Sequence, residues 1–292
     1  MTDSEGFDER MVATADGGVF VRCGGAGPPV LLLHGFPETS LMWHGVAPLL
    51  ARQFSVIAAD LPGYGASDCA ENMSKRALAR TLVAAMAALG HERFAVVGHD
   101  RGGRVAYRMA LDHPAAVTAA AVLDVVPTHD VWDRADARLA LAFWPFSLLA
   151  QPAPLPERLI VAAPEAVVDN ALAEWGTPRA VFADAVRDVY VAALRDPAHV
   201  HAICEEYRAA AGIDREHDAA DLAAGRRIGC PLLALWSASG ALASWYADAG
   251  GPLGLWRRWA DDVRGEAVDG GHFFPEEHPT DTAARIAAFL LG

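Results

Sequence analysis

The sequence predicts an α/β fold, a doubly wound and mostly parallel sheet with an inserted helical cap, and three observations carry that expectation. Short, continuously apolar runs recur, as strands buried on both faces require. Helical patterns alternate with them. The alternation lapses between residues 126 and 214 and then resumes. In chain order the strand-like runs are Val30-Leu31-Leu32-Leu33, Ser55-Val56-Ile57-Ala58-Ala59, Phe94-Ala95-Val96-Val97 and Ala119-Ala120-Ala121-Val122-Leu123. Helical spacing fills Ser74 to Leu89 and Gly103 to Leu111, ending at Gly90 and shortly before Pro114. The stretch from Val126 to Asp214 is rich in Ala, Trp, Pro and charge and lacks a clear strand run, so it is expected to be a helical cap. Strands return at Pro231 to Trp236 and Gly265 to Val268, and a last helix is expected from about Thr280 to Leu291. The core is therefore assigned to 1–125 and 215–292, and the cap to 126–214.

With 292 residues, 53% of them hydrophobic, the chain can bury a large core. A net charge of -13 disfavours nucleic acid and anionic membrane surfaces, which need clustered Lys and Arg. The expected partners are a small-molecule substrate and water, with a homodimer as an allowed assembly. Cys23, Cys69, Cys204 and Cys230 form no C-x-x-C pair and read as reduced packing residues. The start, Met1-Thr2-Asp3-Ser4-Glu5-Gly6, lacks the basic, apolar character of a secretory signal, so a cytoplasmic location is expected. No apolar run reaches the roughly 18 residues that a membrane span needs.

The sharpest local signal is Val96-Val97-Gly98-His99-Asp100-Arg101-Gly102-Gly103-Arg104, an apolar strand entering a small-x-acid-x-small turn and then a helix. It is a nucleophile elbow with Asp in place of Ser. Two further segments complete a site. His34-Gly35-Phe36-Pro37 follows a strand and can aim the Phe36 amide beside that of Arg101, making an oxyanion hole. Asp269-Gly270-Gly271-His272-Phe273 puts a histidine on a Gly-flanked loop after the last predicted strand, so His272 is the candidate base. The third member must be an acid between nucleophile and His in chain order. Ser237-Ala238-Ser239-Gly240 holds none, and Asp124, ending the run Val122-Leu123, takes the role; Asp248 is the weaker competitor. The alternative duty of Asp124 is to cap the first cap helix.

A carboxylate with a reference pKa of about 3.9 is ionised, and so nucleophilic, at neutral pH without a base. Attack on saturated carbon would form an ester on Asp100, which His272 would hydrolyse by deprotonating water. Carbon-halogen bonds and epoxides suit such a nucleophile. No cofactor is called for, and no His, Asp or Glu spacing suggests a metal.

With these residues assembled, the chain resembles the α/β-hydrolase fold family, in its fluoroacetate dehalogenase and epoxide hydrolase branch. The likeness is carried by His34 to Thr39 with Met42-Trp43, Asp60-Leu61-Pro62-Gly63-Tyr64-Gly65, Gly98 to Arg104 and Leu123 to Thr128. It continues through Ala150 to Pro154, Cys204-Glu205-Glu206-Tyr207-Arg208-Ala209 and Gly271-His272. The resemblance implies that Arg101 and Arg104 hold a substrate carboxylate; otherwise the two pair with cap acids or shape the elbow. It also implies a halide pocket built from a His-Trp pair and a cap Tyr. Here Pro145 and Phe146 stand in place of the pair, and neither can donate a hydrogen bond. Tyr207 remains as the cap phenol, able to protonate an opening alkoxide. Trp144, Phe146 and Trp175 are expected to line the pocket, with room for a bulky substrate because Pro and Phe are smaller than Trp.

An epoxide hydrolase is therefore the leading expectation, a haloacid dehalogenase the runner-up, and a non-catalytic ligand receptor the remote third. His34, His99 and Asp60 are read as scaffold, and Glu276, Glu277 and His278 as caps of the last helix.

Overall fold

The computed structural model describes residues 6–292. Eight strands form one sheet: β1 (Phe7–Thr14), β2 (Gly17–Gly24), β3 (Pro29–Leu33), β4 (Ser55–Ala59), β5 (Phe94–His99), β6 (Val117–Leu123), β7 (Leu232–Ser237) and β8 (Val263–Val268). Their spatial order is β1-β2-β4-β3-β5-β6-β7-β8. Strands β3 to β8 pair in parallel, whereas β1 with β2 and β2 with β4 are antiparallel. Every strand expected from an apolar run forms. The hairpin of β1 and β2 is missed because it is half exposed: Val12, Val19 and Val21 are buried between residues such as Met11, which is 54% exposed. The available signal is that alternation around Ala15-Asp16-Gly17, with Gly17 at φ 119 closing the turn.

The register fixes where chemistry can occur. Leu33 lies opposite Gly98, His99 opposite Leu123, Leu123 opposite Leu235 and Ser237 opposite Val268. The carboxyl ends of five strands therefore meet along one edge of the sheet, the place where open α/β sheets bind ligands. Two core helices follow from the sequence: α1 (Lys75–Ala88), capped by the Ser74 hydroxyl and stopped at Gly90 with φ 87, and α2 (Asp100–Asp112), which springs from the end of β5.

Between β6 and β7 the described chain is helical, as expected of a cap. Short helices at Thr128–Asp133, Ala137–Ala142, Trp144–Leu148, Leu155–Ala162 and Pro164–Glu174 lead to α3 (Asp184–Ala193), α4 (Pro197–Ala211) and α5 (Ile213–Ala223). The boundary expected at 214 falls inside α5. Its acids bind core helix α2: Asp218 accepts from Tyr107 at 2.7 Å and from Arg108 at 2.8 Å, and Asp221 accepts from Arg108 at 2.5 Å. The last helix, α6, spans Pro279–Leu291.

Glu276 and Glu277 do not cap α6 as expected. Glu277 Oε2 accepts the Gly271 amide at 2.8 Å, steadying the loop before His272. Glu276 is half-buried and takes the Tyr190 hydroxyl of cap helix α3 at 2.9 Å. Desolvation together with the nearby Glu38 charge pushes its pKa well above the usual carboxylate range, so it is the neutral acid of the two; Glu276 Oε2 and Glu38 Oε1 are otherwise buried without partners. Glu38 Oε2 in turn accepts the Gly35 amide and faces His99 Nδ1, both at 3.1 Å. His99 Nε2 meets the His272 carbonyl at 2.8 Å. Both ring nitrogens face acceptors, so His99 is an imidazolium: burial opposes the charge, but Glu38 and Asp100 prevail and raise its pKa to about 9. The scaffold reading of His34 and Asp60 also holds. His34 Nε2 accepts the Leu61 amide at 2.9 Å, and Asp60 accepts the amides of Ser40 and Ala66. The four cysteines are free, with Cys204 buried and Cys69 exposed rather than packed. Among the described residues no helix is long and apolar enough to cross a membrane.

Two predictions follow from this frame. A Cβ on Gly102 would lie 2.5 Å from the backbone oxygens of Leu33 and His34, which cannot retreat. Gly102→Ala should cost about 2–4 kcal/mol in urea unfolding, whereas Gly90→Ala, strained only by its φ of 87 with nothing within 4 Å, should cost about 1 kcal/mol; equal losses would contradict the packing argument. A histidine whose folded pKa exceeds its unfolded value of about 6.5 adds stability that is complete below that value. It is lost as pH rises through the folded pKa of about 9. Unfolding free energy should therefore drop by about 3 kcal/mol from pH 6.5 to 9 in the wild type. Glu38→Gln should flatten that slope; parallel profiles would show that the His99–Glu38 pair does not carry it.

Candidate active site

Asp100 and Asp124 are the only non-glycine residues among those described with positive φ, at 45° and 49°. Left-handed backbone at a non-glycine residue is strained and persists where the surroundings over-determine it. At Asp100 the cause is the elbow: Gly98 and Gly102 pack backbone to backbone where β5 turns into α2, and the Gly102 amide donates to the His34 carbonyl at 2.8 Å. The Asp100 side chain is thereby pressed against Gly35, and its Oδ1 accepts the Phe36 amide at 3.0 Å. The second expected donor, the Arg101 amide, makes no hydrogen bond to this carboxylate. Burial works to raise the Asp100 pKa, but the adjoining His272 ring and the charges of Arg101, His99 and Arg104 outweigh it and hold it below the usual value.

Asp124 meets its expected partner. Oδ2 lies 2.6 Å from His272 Nδ1, and Oδ1 accepts the Ser237 amide at 2.9 Å. A carboxylate pinned at both oxygens fixes the ring and its tautomer. His272 Nε2 is left buried without a partner. The competitor Asp248 is exposed and tied to Arg134 at 2.7 Å, away from the ring. Asp124 makes no helix-capping bond at Thr128–Asp133, so its side chain serves the histidine.

The two arginines differ. Arg101 is clasped by Glu206 of cap helix α4, with Nε at 2.7 and 3.0 Å and Nη2 at 2.6 Å from its oxygens, and its guanidinium stacks 3.9 Å over the Tyr207 ring. The buried Lys75 ammonium also pairs with Glu206 and lies 3.6 Å from Asp214. Pairing with a cap acid is thus what Arg101 does, although Nη1 stays buried and unpartnered. Arg104 Nη1 donates to the Val126 carbonyl at 3.1 Å and the Thr128 hydroxyl at 3.2 Å. It has no carboxylate in contact, and its Nε is also unpartnered.

Two spaces meet at His272. An outer vestibule of about 390 Å³ is lined by Trp144, Trp175, Asn170 and Ser239, and an inner cavity of about 30 Å³ by Asp100, Arg104, Phe146, Trp245 and Tyr246. Phe143, Asp124 and His272 border both. Phe146 is therefore where expected, but Trp144 and Trp175 stand outside; the Trp144 indole is tied to Asn170 at 2.7 Å, and the Trp175 carbonyl accepts the His272 amide at 2.8 Å. Tyr207 packs edge-on against Phe36 and Phe146, its hydroxyl making no hydrogen bond among the described residues, and it does not line the inner cavity. The expected extra room is absent, because Phe143, Trp245 and Tyr246 refill the space. Sequence reasoning missed those three, along with Lys75 and Glu206. An apolar ring at helical spacing looks like core, and an acid that partners a distant arginine has no local signature. Among the described residues no group of three His, Cys, Asp or Glu is arranged to hold a metal.

The chain is similar to known proteins in sequence and in fold. The model of the α/β hydrolase fold family matches residues 28–147. Over 98% of this chain and 94% of its own length, a fluoroacetate dehalogenase from Burkholderia sp is 42% identical. A soluble epoxide hydrolase from Corynebacterium sp. (strain C12) is 30% identical over 91% of the chain and 92% of its own. A solved α/β-hydrolase structure from Nostoc sp PCC 7120 superposes with a TM-score of 0.94 at 43% identity, covering 98% of this chain and 99% of that one. The chain is thus a hydrolase that belongs to the α/β-hydrolase fold family, in the branch of the fluoroacetate dehalogenases and epoxide hydrolases.

Proposed function

We propose that this hydrolase opens a small epoxide through an alkyl ester on Asp100. The observation that carries the reading is the Asp100 carboxylate seated on the Phe36 amide, in one cavity with a His272 ring whose Nε2 is free and whose Nδ1 is held by Asp124. One Asp100 oxygen attacks a ring carbon, the carbon-oxygen bond breaks, and its electron pair moves to the ring oxygen. His272 then takes a proton from water, which attacks the ester carbonyl while the Phe36 amide holds the oxyanion. Collapse restores Asp100 and releases a diol carrying one oxygen from the enzyme. The inner cavity's apolar walls and the absence of donors at Pro145 and Phe146 support a strained ring over a carbon-fluorine bond, whose departing fluoride needs donors in place of water. Four free cysteines suit the reducing cytoplasm.

A second reading is favoured by Arg101 Nη1 and Arg104 Nε, two buried donors without partners. A substrate carboxylate would satisfy both, as in a haloacid dehalogenase. A non-catalytic receptor is disfavoured, because it has no use for two strained acids and an oriented histidine.

The deciding experiment is His272→Ala incubated with small epoxides and with chloroacetate, followed by intact-mass and peptide analysis. An adduct equal to a whole epoxide on Asp100 is expected. Carboxymethyl adducts alone would replace the proposal with the dehalogenase, and no adduct from any electrophile would overturn both enzyme readings.

A further inference from the structure

Ring opening leaves a problem that the residues named so far do not solve: the departing oxygen must acquire a proton. Among the side chains lining the inner cavity, those able to donate are Arg104, His272, Trp245 and Tyr246. Arg104 keeps its protons at any working pH, an indole N–H is not acidic, and His272 must stay neutral to act later as a base. Tyr246 is the group left. It follows the short helix Ala241–Trp245 after β7, so it reaches the cavity from the core and not from the cap. It is 4% exposed and packs in the same cluster as Phe146, Leu139 and Leu242, beside the position where a donor is missing. Its hydroxyl makes no hydrogen bond among the described residues. Burial lifts its pKa to about 12, the Arg104 guanidinium opposing the rise. It is therefore a neutral phenol at neutral pH, with a cation at hand for the phenolate.

We propose that Tyr246 donates the hydrogen bond, and then the proton, to the oxygen that leaves the attacked carbon. The inference rests on the epoxide reading. The balance closes: as the carbon-oxygen bond breaks, the ring oxygen takes the Tyr246 proton and becomes a hydroxyl, leaving tyrosinate facing Arg104. During ester hydrolysis His272 gains a proton from water, and that proton returns to the tyrosinate. Asp100, His272 and Tyr246 all end as they began.

The test follows ester growth by time-resolved intact mass in His272→Ala, with and without Tyr246→Phe, using an epoxide that labels the parent. Ester decay is then timed in Tyr246→Phe with His272 present. Alkylation should slow at least about 100-fold, the lower end of the range for removing one oriented donor, while decay of the formed ester stays within about twofold. Comparable slowing of both steps would mark Tyr246 as packing and overturn the proposal. So would unchanged alkylation, or its loss in Tyr207→Phe alone. Absence of any epoxide adduct in the parent is a different failure: it removes the epoxide reading itself, and this proposal with it.

Discussion

The close approach of backbone to backbone at the end of β5 is the constraint on which the site depends. Because Gly98 and Gly102 carry no Cβ, α2 can start against the β3 turn, with the Gly102 amide bonded to the His34 carbonyl. That contact forces Asp100 to φ 45 and aims its carboxylate at the Phe36 amide. Asp124 is held at φ 49 by a comparable arrangement, its amide bonded to Leu235 and its side chain to Ser237 and His272. Strain at both acids is sustained by the sheet, so the geometry is set before any substrate arrives.

Buried charge is arranged around that frame with an imbalance that bears on the proposed mechanism. Arg101 and Lys75 are offset by Glu206 and Asp214. Arg104 has no acid in contact, and Asp100 is the carboxylate whose charge raises its pKa against the lowering by burial and Arg101. Alkylation neutralises Asp100. At that moment Arg104 loses its counter-charge, and the negative charge developing on the leaving group, or on a phenol that has given up its proton, takes its place. An uncompensated buried cation is costly, so such a site favours the state in which a new anion has formed.

Much of this was legible in the sequence, and the reason differs from part to part. Parallel strands buried on both faces announce themselves as apolar runs, and the elbow is readable because only glycine permits its contacts. Asp124 and His272 are readable because each follows a strand, Asp124 directly and His272 on the loop beyond, and the order of those strands in the chain is fixed. The Glu206–Arg101 clasp, the Glu38–Glu276–Tyr190 chain and the Tyr246 wall were not, since each joins residues far apart in sequence through space that only the folded cap and core define. Phe146 illustrates the limit: its place in the cavity was foreseen, but the rings of Phe143, Trp245 and Tyr246 that consume the space beside it were not.

The central claim is a covalent bond between an Asp100 oxygen and the carbon under attack. A single turnover in water enriched in heavy oxygen tests it most directly, with excess enzyme and mass analysis of both the diol and the Asp100 peptide. The account predicts label in the Asp100 carboxylate and an unlabelled new hydroxyl in the product. Label in the product with Asp100 unlabelled would mean that water attacked the substrate itself, and would contradict it.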